Sequence, residues 1–165
     1  MKRRYLLQFG TMILWAILSM SCVNLTEIPY TKLMSKGTNE FTNGNYANAE
    51  QYFTEALAWA EEHGSQDQVV TVLGYLGRAF DEEGKNDHAE LAFKRRISIA
   101  ETRNLDVATR VETFLALAIF YSKHRRCDEL RQILDTLESS DSSLKSSREY
   151  GETVTLISDL SRLHC

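Results

Sequence analysis

Two stretches of this chain match each other at an offset of 40 residues. Glycine, alanine and aromatic residues recur at the same positions in both. The matching pairs are Gly37 and Gly77, Gly44 and Gly84, Ala49 and Ala89, Phe53 and Phe93, and Leu57 and Ile97. Self-similarity at a period between 20 and 50 residues is typical of proteins built from stacked structural repeats. The chain is therefore expected to fold as an array of similar units.

Each unit contains the pattern of helices joined by a tight turn. Apolar residues recur every three or four positions after the first turn, at Ala49, Tyr52, Phe53, Ala56, Leu57 and Ala60. This spacing predicts an amphipathic helix with one buried face. Gly44 and Gly84 predict the turns, because glycine readily takes the positive φ that ends a helix. Ser65 and Gln68 form a predicted capping box at the start of the next helix.

The glycine–alanine–aromatic pattern resembles the tetratricopeptide repeat, a helix–turn–helix unit of about 34 residues. The longer spacing is similar to the lengthened repeats of kinesin light chain-like arrays. A third, weaker copy is displaced by one residue, so that Ala118 matches Gly77 while Leu130 and Leu134 match Ala89 and Phe93. The resemblance implies an all-α fold, an α-solenoid of about three helix hairpins over residues 30–138.

The chain after the repeats is predicted to close the array. Residues 139–147 are rich in serine and predict a mobile loop. Residues 148–165 predict a C-terminal capping helix, opened by a capping box of Ser146 and Glu149. Its apolar residues Val154, Ile157, Leu160 and Leu163 are expected to cover the last open face of the array.

The N-terminus has the order of residues found in an export signal. Residues 1–21 contain a basic start, an apolar middle and small residues before Cys22. This segment resembles the bacterial lipoprotein signal, which implies that Cys22 is acylated and that residues 22–29 form a tether. The expected location is the cell envelope, lipid-anchored and facing the periplasm or exterior. Two alternatives stay open, a secreted protein and a single N-terminal transmembrane anchor.

Charge and motifs exclude several classes of function. The formal net charge is −4, and without Lys2, Arg3 and Arg4 the remainder stands near −7, which argues against nucleic-acid binding. No catalytic motif, cofactor fingerprint or metal-ligand spacing occurs, so no enzyme, cofactor or metal is predicted. Cys127 and Cys165 could form a disulfide in an oxidising compartment or could be two independent thiols.

The resemblance also implies a concave surface lined by the first helix of each unit. Gly74 would open a gap in this surface. Leu115 and Ile119 could equally pack under the terminal helix. Members of the family that bind acidic chaperone tails carry lysine and asparagine where Met34 and Thr38 stand, so that role is not implied. The expected groove residues are Thr31, Met34, Thr38, Phe41, Thr71, Arg78, Asp81, Glu112, Leu115 and Ile119.

These observations predict an exported adaptor that binds a protein or peptide partner in its concave groove. The alternative is a structural envelope protein that self-associates. Such a homo-oligomer would use the apolar segment 114–120 or the C-terminal helix as its interface.

Overall fold

The computed structural model describes residues 27–140 and 142–165. Within these residues the chain forms eight helices and no strand. The helices are α1 (Glu27–Thr42), α2 (Tyr46–His63), α3 (Gln66–Glu82), α4 (Asn86–Thr102), α5 (Val107–Lys123), α6 (Cys127–Ser139), α7 (Ser142–Lys145) and α8 (Arg148–His164). None of them is long and apolar enough to cross a bilayer.

The predicted signal peptide, the predicted acylation site Cys22 and most of the predicted tether lie outside the described residues. Helix α1 begins at Glu27, within the predicted tether, and places Pro29 in its first turn. Proline is tolerated there because the first amides of a helix have no intrahelical acceptor.

Consecutive helices from α1 to α5 pack on each other in chain order, as in an α-solenoid. The predicted all-α solenoid is confirmed. Two glycines explain how the first two hairpins close. A Cβ atom at Gly37 would lie 2.5 Å from the ring of Phe53, and one at Gly77 would lie 2.8 Å from the ring of Phe93. Only glycine lets these helices approach so closely.

The turns between the helices repeat as well. Gly44 and Gly84 have φ of 77° and 73°, and the amides of Asn45 and Lys85 donate to carbonyls five residues earlier, at 2.9 and 2.8 Å. This is the Schellman arrangement of a helix C-terminus. The same turn recurs with a non-glycine residue at positive φ after α4 and α5, at Asn104 and Arg125. The predicted capping box at Ser65 is also present.

The third unit departs from the first two. Helix α5 packs more extensively against α8 than against α6. In this unit Ala118 replaces the close-approach glycine and Leu134 replaces the phenylalanine that fits against it. The hairpin is therefore looser, and α8 covers the exposed side of α5. Most of segment 114–120 is buried as a result, as expected for a central helix covered by its neighbours.

Helix α8 packs only part of the predicted set of residues against the core. Ile157 is fully buried and Val154 packs at the edge of the core, but Leu163 is 74 % exposed. Residues spaced by three drift around a helix of 3.6 residues per turn, so Leu163 lies about half a turn from Val154. The N-cap is Ser147, whose hydroxyl accepts from the amide of Tyr150 at 3.1 Å, and not Ser146.

Two further features stabilise the packing of the C-terminal part of the chain. The serine-rich stretch predicted as a mobile loop contains α7, whose Leu144 is fully buried in the core. Cys127, the first residue of α6, forms a disulfide with Cys165, which follows α8. Of the two possibilities left open by the sequence, the structure has the paired cysteines.

Candidate protein-binding groove

Two adjoining cavities lie where α3, α4 and α5 meet. The first, here called the arginine cavity, measures about 290 Å³ and is lined by Thr71, Gly74, Tyr75, Arg78, Arg96, Glu112 and Ala116. The second, the isoleucine cavity, measures about 450 Å³ and is lined by Arg78, Asp81, Glu82, Phe93, Ala116, Ile119, Phe120 and Lys123. Because Arg78 and Ala116 border both, the two cavities form one continuous groove.

Arg96 forms the floor of the arginine cavity. It comes from α4 and is only 6 % exposed. Its Nε donates to the carbonyl of Val70 at 3.0 Å, and Nη2 donates to the carboxylate of Glu112 at 2.8 Å. A Cβ at Gly74 would lie 3.1 Å from the guanidinium carbon. The missing side chain of Gly74 therefore provides the gap through which Arg96 reaches the groove.

Arg78 stands at the junction of the two cavities. Its guanidinium lies 4.9 Å from the ring centroid of Phe41 and 5.9 Å from that of Tyr75. Cation–π contacts of this kind hold an arginine in place without neutralising its charge. Among the described side chains, Arg78 forms no ion pair. The contact with Phe41 also connects α1 to the groove.

The charges around the isoleucine cavity are largely paired within the chain. The carboxylate of Asp81 contacts Lys123 Nζ at 2.9 Å and His124 Nε2 at 2.6 Å, and Glu82 contacts Lys123 at 2.9 Å. Burial lowers the pKa of Lys123, but the bonds to these two carboxylates outweigh it and raise the pKa. Lys123 is therefore held as a cation. Ile119, 48 % exposed, remains as an apolar surface within this cavity.

The structure brings together five of the predicted groove residues, which line the cavities: Thr71, Arg78, Asp81, Glu112 and Ile119. Phe41 joins them through Arg78. Met34 and Leu115 are half-buried against the core, and the hydroxyl of Thr38 donates to the carbonyl of Met34. Thr31 lies exposed on α1, outside both cavities. The alternative was that Leu115 and Ile119 both pack under the terminal helix. Leu115 packs against the core cluster that includes Ile157 of α8, whereas Ile119 lines the isoleucine cavity.

The cavities are also lined by residues that the sequence did not place in the groove: Tyr75, Glu82, Phe93, Arg96, Ala116, Phe120 and Lys123. Tyr75 and Ala116 lie one helical turn from predicted members, Thr71 and Glu112, and that spacing was the signal. Arg96 comes from the second helix of its unit and replaces the small Ala56 of the first copy. The sequence signal for Arg96 is therefore a large cation at a position where the first copy has a small residue. Gly74 in the preceding helix is the second part of that signal.

The described residues hold no cluster of three or more histidine, cysteine or carboxylate side chains suited to a metal ion. Residues 30–102 match the family model of the tetratricopeptide repeat. Residues 30–102 are tetratricopeptide repeats. This tetratricopeptide segment runs from α1 to the end of α4 and includes both glycine–phenylalanine contacts. Comparison with curated proteins and with solved structures returned no match.

The third, weaker copy in α5 and α6 lies beyond the matched residues and completes the solenoid. The tetratricopeptide repeat is a non-catalytic fold that typically takes part in protein–protein interactions. The groove lies between the tetratricopeptide segment and α5, so this third copy supplies one of its walls.

Proposed function

We propose that this protein is an adaptor that holds a protein partner in the groove formed by the two cavities. The observation that carries the proposal is the position of Ile119, a half-exposed apolar side chain between a buried core and paired charges. An apolar side chain at the floor of a groove is a natural anchor for an extended or helical peptide. The interaction role of tetratricopeptide repeats supports the same proposal.

Binding would be reversible and would use two kinds of contact. An apolar side chain of the partner would pack against Ile119 in the isoleucine cavity, where the surrounding charges are already paired. Polar groups of the partner would meet Arg78 and the arginine cavity beside it. The first contact supplies burial of apolar surface and the second supplies orientation.

Crosslinking of the full-length protein in its native membranes tests this proposal. Ile119→Ser should remove a partner band, because the anchor surface is lost while the buried core is unchanged. Leu91→Ser is the matched control, since Leu91 is 66 % exposed on α4 and lies outside both cavities. Identical bands for the wild type and both variants would refute binding in the groove.

We further propose that the protein is exported and anchored in the cell envelope through acylated Cys22, facing the periplasm or exterior. The order of residues 1–22 supports this proposal. The disulfide of Cys127 and Cys165 supports it too, because disulfides persist mainly in oxidising compartments. Secretion and a single N-terminal transmembrane anchor are the alternatives. Mass spectrometry of the mature N-terminus separates them: an acylated Cys22, a plain cleaved end or an intact leader.

A self-associating structural protein is the second candidate. Segment 114–120 is a poor interface, because Phe114, Leu117 and Phe120 are buried within the chain. The C-terminal helix keeps this candidate open, since Leu156 and Leu163 lie seven residues apart on one face of α8 and are 44 % and 74 % exposed. Sedimentation of the full-length protein and of Leu163→Ser tests it. A wild-type dimer that dissociates in the variant would support self-association.

A further inference from the structure

We infer that the arginine cavity selects an acidic side chain, an aspartate or glutamate within an extended partner segment, and that this side chain displaces Glu112 from Arg96. The inference rests on the proposed groove function and specifies the chemistry of its ligand. Four features of the described residues lead to it: a buried cation, a loosely held internal partner, a second cation without a carboxylate and an adjoining apolar cavity.

The buried cation is Arg96. A charge removed from water must be paired, because an uncompensated buried charge is strongly unfavourable. Val70 supplies only a carbonyl, so Glu112 is the counter-charge. Any ligand group that takes the place of Glu112 must therefore carry a negative charge and accept hydrogen bonds from a planar guanidinium. A carboxylate does both.

The internal partner is loosely held. The side chain of Glu112 is 66 % exposed, whereas that of Arg96 is 8 % exposed. Glu112 can therefore rotate into solvent and recover its hydration, so it is the member of the pair that a ligand carboxylate can replace. Exchange of this carboxylate for one from a ligand leaves Arg96 paired throughout. Glu112 thus occupies the site as an internal competitor.

The second cation is Arg78. It borders the same cavity, lies over Phe41 and Tyr75, and forms no ion pair with a described side chain. The cavity therefore has one positive charge in excess while Glu112 is in place, and two after Glu112 leaves. This is a local exception in a chain of formal net charge −4, and it favours an anionic ligand.

The adjoining isoleucine cavity favours a side chain within a segment over a chain terminus. It opens across Arg78 and Ala116 and presents Ile119 to the same ligand. A segment with an acidic residue next to an apolar one fills both cavities. Neither Met34 nor Thr38 lines these cavities, and Arg96 comes from the second helix of its unit.

Fluorescence anisotropy with defined peptide libraries tests the inference on the full-length protein. The probes are N-terminally labelled, C-terminally amidated octapeptide libraries with leucine fixed at one position. Either glutamate or glutamine is fixed next to it, before the leucine in one pair of libraries and after it in a second pair. We expect the glutamate library to bind at least about tenfold more tightly, because hydrogen bonds between charged groups replace neutral ones. Arg78→Gln should remove about tenfold of that affinity and leave the glutamine library unchanged.

Two further variants probe the displacement. Glu112→Gln removes the internal competitor and should strengthen binding of the glutamate library several-fold, whereas a purely structural Glu112 would give equal or weaker binding. Gly74→Ala places a methyl group against Arg96 and should weaken binding of the glutamate library. Because alanine favours the helix more than glycine does, a thermal melt should show that this variant remains folded. Glu101→Gln, at an exposed position of α4 outside the cavities, is the matched control.

The outcomes separate the two proposals. Equal binding of both libraries, weakened in each by Ile119→Ser, would overturn the acidic ligand and leave the groove function standing. Libraries with a free C-terminal carboxylate provide a further comparison. If they bind more tightly than the amidated libraries whether or not they contain glutamate, the cavity binds a chain terminus and the inference is overturned. Absence of binding by every library would overturn both.

Discussion

Glycine has opposite roles at two positions inside the helices of this protein. At Gly77 an added Cβ would lie 2.8 Å from the ring of Phe93, so the bare backbone allows α3 and α4 to approach. At Gly151, in the second turn of α8, an added Cβ would meet no atom within 4 Å. The first glycine is required by packing, whereas the second only increases the conformational entropy of the unfolded chain.

Alanine substitutions at these two glycines should therefore shift stability in opposite directions. Gly77→Ala should lower the free energy of unfolding by about 1–3 kcal/mol, since the ring of Phe93 must move. Gly151→Ala should raise it by about 0.5–1 kcal/mol, as expected for glycine in a helix interior. Urea denaturation of the two variants measures both effects. A stabilising Gly77→Ala would contradict the close-packing argument.

The hairpin turns before α4 and before α6 each form an ion pair with the preceding unit. The two ion pairs lie at equivalent positions of the repeat. Lys85, in the turn before α4, contacts Glu50 of α2 at 2.5 Å. Arg126, 41 residues after Lys85, pairs with Glu90, 40 residues after Glu50. Glu90 also contacts Lys94 at 2.7 Å and accepts from the hydroxyl of Tyr121 at 2.8 Å. The hydrogen bond from Arg126 is the main cause that lowers the pKa of Glu90 to about 2.

The stabilisation from Glu90 should depend on pH. Its carboxyl titrates at about 2 in the folded protein, below its ordinary value of 4.5, so the stabilisation is complete above pH 4.5 and is lost as pH falls toward 2. Glu90→Gln should lower the free energy of unfolding by about 1.5–3 kcal/mol at pH 7. The difference from the wild type should shrink between pH 4.5 and 2, as measured by urea unfolding.

Glu138→Gln is the matched control for this prediction, because Glu138 is exposed on α6. Glu138→Gln should change the free energy of unfolding little at pH 7 and little at pH 2. A difference between Glu90→Gln and the wild type that stays constant down to pH 2 would show that the charge of Glu90 does not act through these ion pairs.

The molecule as a whole combines an open array with a closed end. From α1 to α4 each helix packs mainly on its neighbours in the chain, which is the behaviour of a repeat protein. At the C-terminus α8 returns to α5, and the disulfide joins the end of α8 to the start of α6. The closed end provides the core that the looser third hairpin could not form alone.

Removal of the disulfide should therefore weaken the molecule unevenly. Cys165→Ser should lower the free energy of unfolding by about 2–4 kcal/mol, because a cross-link of this span restricts the unfolded chain. Hydrogen exchange should increase mainly in α6 and α8 and little in α1 to α3. Leu91→Ser, at an exposed position of α4 away from the disulfide, is the control. A uniform increase along the chain would contradict an array of locally stabilised units.

Much of this architecture could be predicted from the sequence because its signals are local. The turns at Gly44 and Gly84 depend only on the positive φ of the glycine itself. The Ser65 capping box likewise involves residues only three apart. The pairing of Gly77 with Phe93 could be predicted because the same pair recurs one repeat earlier. Part of the groove, at Thr71, Arg78 and Ile119, was expected from the resemblance to the tetratricopeptide repeat, which implies a surface lined by the first helix of each unit.

The remaining features depend on contacts between residues that are distant in the chain or irregular in the repeat. The sequence determined the helices, the turns and the order in which the hairpins stack, since these depend on backbone conformation and on apolar residues at helical spacing. Tertiary structure alone decided that Leu163 of α8 stays exposed and that Cys127 meets Cys165. It also decided that Arg96 reaches Glu112 past Gly74. Each of these results from the packing of three or more helices at once, and no single helix carries that information.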